Sequence, residues 1–155
     1  MINDELPAID EAIRLGNLEL AESMLMTIFD NLTRANNNSP SMALAKVRER
    51  LAQIATRRQK VAIAIEHLVE AINIKTALSG PLSLDCGKTI DKLSELYMQE
   101  CKYSAAEPLL NRLLKIRQVH LGNEHIETAN VMHSLACLYH AQENFLKAEP
   151  FHKES

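Results

Sequence analysis

The chain has 155 residues, a formal net charge of −3, four Gly, five Pro, three Cys and only 4% aromatic residues. That charge gives no overall drive towards nucleic acid or an anionic membrane surface, no apolar run reaches the ~18 residues of a membrane span, and no signal-peptide pattern opens the sequence. Cys86, Cys101 and Cys137 are odd in number and lack C-x-x-C spacing, so neither a disulfide framework nor a zinc site is indicated and a reducing, cytoplasmic setting is expected.

Helix formers dominate, with Ala and Leu prominent, and an all-α chain is predicted. Residues 1–34 read as two short helices, the first with Leu6, Ile9 and Ile13 on one face, the second with Leu18, Ala21, Leu25, Ile28 and Leu32, and Gly16-Asn17 turning between them. Asn36-Asn37-Asn38-Ser39-Pro40 is a polar linker in which Ser39 suits a cap and Pro40 a first helical position. A helix from Met42 to about Arg57 follows, then a turn at Arg58-Gln59-Lys60, then a partner helix from Val61 to about Ala77 that Ser79-Gly80-Pro81 breaks. Ser83 can cap the next helix, Leu84 to Glu100, whose partner runs from Ser104 to His120. Pro108 is placed in the first turn of that partner, where its missing amide would have no acceptor, and Gly122 is free to stop it in a left-handed conformation. The fourth pair opens with a helix over about 125–141, and its second helix starts near Phe145.

The chain repeats itself. Leu96-Tyr97 matches Leu138-Tyr139, Tyr103 matches Phe145 and Ala106-Glu107-Pro108 matches Ala148-Glu149-Pro150, all 42 residues apart. The same offset carries Leu51, Ile54, Val61, Ala64, Leu68 and Gly80 under similar residues of the next copy, and a weaker copy lies near Gly16-Asn17-Leu18. A period between about 20 and 50 residues points to stacked helix pairs. Residues 42 apart are then expected to do the same geometrical job, so Tyr97 and Tyr139 should have like surroundings. The units are 1–34, 41–80, 83–122 and an incomplete 125–155, all expected within a single domain. The last unit lacks roughly three turns of its second helix. Its first helix would keep apolar surface uncovered at a cost of about 25 cal/mol per Å², so either a longer array or another chain is expected to complete it.

The recurring pattern resembles the tetratricopeptide repeat. Ala52, Ser94 and Ala136 occupy one small-residue position, and Ala64, Ala106 and Ala148 the other. HIETANVMHSLACLYHAQENFLKAEPF is similar to the kinesin light chain-like subclass, with its His-x-Asp/Glu-Thr-Ala start, Leu-Ala-x-Leu-Tyr centre and Ala-Glu-Pro. The resemblance implies a right-handed α-α superhelix, a tetratricopeptide solenoid of about 3.5 helix pairs, that acts as a scaffold for protein–protein interaction. It departs where the family carries paired Asn that hold a peptide backbone, since Glu49-Arg50, Asp91-Lys92 and His133-Ser134 stand there.

In such solenoids the first helix of each pair lines the concave face. Helical spacing then places Lys46, Glu49, Gln53 and Arg57, next Lys88, Asp91 and Glu95, and last Asn130, His133, Cys137 and His140 along a groove for a peptide or partner protein. His133, Cys137 and His140 share a face with a spacing that could hold a soft metal, but no fourth ligand is evident and a polar groove wall accounts for them more simply. A Cys137–His nucleophile would have no oxyanion hole, so neither an enzyme nor a cofactor is expected. Arg48, Arg50, Arg57, Arg58 and Lys60 are the one basic cluster; without interleaved aromatics they read as a solvated helix end, and nucleic acid is not expected as a partner. Assembly through the open C-terminal repeat, as a homo-oligomer or a regulatory segment of a larger protein, is the alternative role.

Overall fold

The computed structural model describes residues 2–37 and 39–145, with side chains over 5–37 and 39–143. Seven helices and no strand occur among the described residues: α1 (Ile2–Arg14), α2 (Leu18–Ala35), α3 (Met42–Arg57), α4 (Val61–Ser79), α5 (Leu84–Gln99), α6 (Tyr103–Leu121) and α7 (Ile126–Phe145). The chain forms two compact units, residues 1–81 and 82–155.

In the first unit, Ile9 and Ile13 of α1, Ala21, Leu25 and Ile28 of α2, and Val47, Leu51 and Ile54 of α3 make one core. Each large aliphatic side chain buried there contributes roughly 1.5–3 kcal/mol. Leu44 and Ala45 of α3 meet Ile74 of α4 in a second cluster. Ala52 and Ala64 are both buried, so the small-residue positions read from the repeat lie where α3 and α4 pack. The basic cluster is used inside this unit and is no bare helix end. Arg50 Nε sits 2.8 Å from Asp10 Oδ1, Arg57 donates to the Ile13 carbonyl, and Arg58 pairs with Glu22. Arg48 lies 4.9 Å from the Phe29 ring centroid and donates to His67 Nδ1 at 3.2 Å.

In the second unit, α5 and α6 pack through Ser94 and Ala106, both buried. Gly87 faces α6: a Cβ there would meet Ile116 Cγ2 at 3.4 Å and Leu113 Cδ1 at 3.6 Å, ordinary van der Waals contact. α7 packs on α6 and buries Thr128, Val131, Leu135 and Leu138. The His125 ring nitrogen accepts from the Glu127 amide at 3.1 Å and so serves the start of α7.

Turns repeat with the sequence. Gln59 (φ 61°) and Cys101 (φ 57°) take the left-handed position 42 residues apart. Lys60 N donates to Ala55 O, and Lys102 N to Tyr97 O, each at 2.8 Å. These are the six-residue closures of a Schellman end, which satisfy carbonyls that the helix itself leaves open.

Four expectations change. The cap of α3 is Ser41, which accepts from Leu44 N at 3.1 Å, in place of Ser39. Ser41 stands 42 residues before Ser83, the cap of α5, so the repeat itself selects it. Pro108 is the sixth residue of α6, beyond the first turn, so the Ser104 carbonyl loses an amide donor; Ser104 and Pro108 are exposed, and water can take its place. α7 does not stop near 141: Ala141-Gln142-Glu143 are helix formers, and the helix runs on through Phe145, where a second helix was expected to begin. Tyr97 is half-buried whereas Tyr139 is 43% exposed, and Ala136 is exposed where Ala52 and Ser94 are buried. The segment equivalent to the α6 that covers Ser94 lies outside the described residues, as do Ala148-Glu149-Pro150.

Candidate functional site

A cleft of about 580 Å³ opens in the second unit. α5 lines it with Lys88, Asp91, Lys92 and Glu95, α7 with Glu127, Asn130, Val131 and Ser134, and Arg117 of α6 reaches in between. The spacing explains the convergence: Lys88, Asp91, Lys92 and Glu95 recur at intervals of three and four, which stacks them on one helical face. Arg117 is nine-tenths buried and forms an ion pair with Glu127.

Burial disfavours the charged form of the two carboxyls. Desolvation raises Asp91 above its ordinary value, with Arg117 pulling it down and Glu127 pushing it up. Glu95 is raised chiefly by desolvation and then by Asp91, with Lys92 opposing. Neither Asp91 nor Glu95 forms an ion pair among the described residues, and the same holds for Lys88 and Lys92. The cleft therefore holds both signs of charge in a half-dried setting, with capacity left for a ligand.

A smaller hollow of about 280 Å³ continues from this cleft, sharing Asp91, Glu95 and Ser134 and adding Ser94, Met98, Leu110, His133 and Cys137. Cys137 Sγ lies 3.5 Å from His133 Nε2, and both are exposed. His140 is exposed and lines neither space. Among the described residues no group of three His, Cys, Asp or Glu side chains is arranged to hold a metal ion.

The first unit treats its share differently. Glu49 is paired with Lys75 at 2.6 Å, with side chains 15% and 9% exposed, and Arg57 is turned to α1. Lys46 and Gln53 are exposed. A separate 520 Å³ hollow there is lined by Phe29, Pro40, Leu44, Arg48, Glu70 and Ile74 among others, with none of the groove residues read from sequence.

Five lining residues were missed: Lys92, Arg117, Glu127, Val131 and Ser134. The signal for Arg117 was present, because the offset of 42 puts it under Lys75, and each is a buried cation in the second helix of a pair. Lys92 and Glu127 look in sequence like ordinary solvated charges.

Residues 85–155 match the family profile of the tetratricopeptide repeat. No protein of curated function matches the sequence. Among solved structures, BtubC (BKLC) from P. vanneervenii is similar, with a TM-score of 0.76 and 23% identity over 92% of this chain. The chain spans 57% of BtubC. The nearly identical TPR-like repeats of a candidate kinesin light chain from Podosopora anserina are also similar, with a TM-score of 0.75 and 18% identity over 95% of this chain and 69% of that one. No helix among the described residues is long and apolar enough to cross a membrane. Residues 85–155 thus carry tetratricopeptide repeat sequence, and the fold is the all-helical one of tetratricopeptide-like arrays such as those of kinesin light chain type.

Proposed function

We propose that this chain is a protein-interaction module that binds a peptide of a partner protein in the cleft between α5 and α7, in a cytoplasmic setting and without a cofactor. Tetratricopeptide repeats in general are interaction modules, which supports the class of function. The observation that carries the location is the set Lys88, Asp91, Lys92 and Glu95, four charges that line one cleft and form no ion pair among the described residues. A ligand that offers cationic groups to Asp91 and Glu95 compensates the desolvation of these two carboxyls, and carbonyl or carboxylate oxygens offered to Lys88 and Lys92 gain charge-assisted hydrogen bonds. The volume matches the few hundred Å³ typical of a site that encloses a short ligand segment.

Selection from a displayed random-peptide library supplies a probe. Peptides enriched on the wild-type chain should bind Asp91→Lys/Glu95→Lys at least about tenfold more weakly, a loss of ~1.4 kcal/mol, with helix content unchanged by circular dichroism. Lys46→Glu in the first unit should leave the affinity unaltered. Equal loss in both variants, or loss in neither, would refute the location.

A further inference from the structure

α7 presents a second face that the cleft does not use. Ala129, Met132, Ala136 and Tyr139 recur at intervals of three and four and are all exposed, Met132 to 41% and Tyr139 to 43%. Helical geometry puts this seam about half a turn away from Asn130 and Ser134, on the other side of the helix from the cleft. The Tyr139 hydroxyl donates to Glu107 Oε1 at 3.2 Å, which anchors the ring tip to α6 and leaves its flank open. Shifted by 42, the same four positions are Gly87, Ile90, Ser94 and Tyr97, and in α5 that face packs against the antiparallel α6, with Ile90 fully buried. The face is therefore shaped to receive an antiparallel helix.

The seam is also complementary to itself. Laid antiparallel on a second α7, with the two-fold axis crossing the seam midway between Met132 and Ala136, Ala129 faces Tyr139 of the second copy and Met132 faces Ala136 of the second copy, so every layer sets a small residue against a large one. The same register sets His125, just ahead of the helix, opposite Glu143 of the second copy. Small-against-large layers are what close helix packing needs, a donor opposite a carboxylate at each end pins the register, and a two-fold contact uses one patch twice. We infer that the chain self-associates as an antiparallel α7–α7 dimer through the seam Ala129, Met132, Ala136 and Tyr139, leaving the cleft free. One helix seam falls short of the roughly 1,200 Å² of a stable standard interface, so the dimer is weak and dependent on concentration.

Sedimentation equilibrium on the full chain tests this independently of the cleft. Wild type should shift from monomer to dimer as concentration rises. Met132→Glu and Ala136→Lys should each weaken the dimer at least about tenfold. Their combination in one chain should recover it, because antiparallel pairing brings the new carboxylate to the new ammonium of the other copy, whereas a parallel pair would not. Binding of a cleft-selected peptide should be the same in all four proteins. The inference is overturned by a monomer at every concentration, including one in which Met132→Glu lowers the melting temperature because residues 146–155 cover the seam. It is equally overturned by a dimer indifferent to the single changes, or by a double variant that stays dissociated.

Discussion

Lys75 and Arg117 are the buried cations of the described chain, and they stand 42 residues apart in equivalent helices. Lys75 closes on Glu49 inside the α3–α4 pair, while Arg117 reaches Glu127 on the next helix and leaves Asp91, the equivalent of Glu49, without an ion pair. One repeated position thus has a structural use in the first unit and a place in the cleft in the second. Removing one member of a buried pair leaves its mate charged and desolvated. Lys75→Met is accordingly expected to cost about 3–5 kcal/mol, and Lys75→Met/Glu49→Leu to recover most of it, as read from urea denaturation midpoints. Equal loss in the single and double variants would show that the pair is not what holds those side chains. Lys88, Asp91, Glu95 and Asn130 could be grouped because the resemblance singled out the first helix of each pair and helical spacing then chose one face of each. The use of Glu49 and Arg57 was not, since it depends on which side chain the neighbouring helix brings opposite.

At the scale of helices, periodicity carried the bounds well: the turns at Gly16, Gln59 and Cys101 and the stops at Gly80 and Gly122 all appear where the sequence puts them. Gly80 and Gly122 adopt φ near +90°, open to glycine and costly for other residues. What the pattern could not show is how α2, α3 and α4 share charge. Phe29, Arg48 and His67, one from each, form a contact chain. His67 is held below its ordinary value, first by burial and then by Arg48, with Glu66 and Glu22 opposing. The folded unit thus favours the neutral ring. Above pH 6.5, the ordinary value, the ring is neutral in both states and its contribution is intact. As pH falls from there towards the lower folded value, the unfolded chain takes the proton first and stability is lost. Between pH 7.5 and 5.5 the melting temperature of wild type should therefore fall more than that of His67→Gln; parallel curves would contradict the assignment.

For the whole molecule, the repeat of 42 was enough to find the all-helical fold and its family resemblance, because α3–α4 and α5–α6 bury equivalent positions, Ala52 and Ala64 in one pair and Ser94 and Ala106 in the other. It was not enough to say which charges the fold would pair internally: Glu49, Arg50 and Arg58 are paired within the first unit, whereas Lys88, Asp91, Lys92 and Glu95 of the second form no ion pair among the described residues. The similar solved structures share the fold at 18–23% identity, a level at which surface charges are free to differ. The central claim is that the α5–α7 cleft is the recognition surface, and at 17.4 kDa the chain suits amide chemical-shift mapping by NMR. Titration with a library-selected peptide should move the amide signals of residues 88–95 and 127–134 most. Largest shifts within residues 1–81, with those of α5 and α7 unmoved, would contradict it.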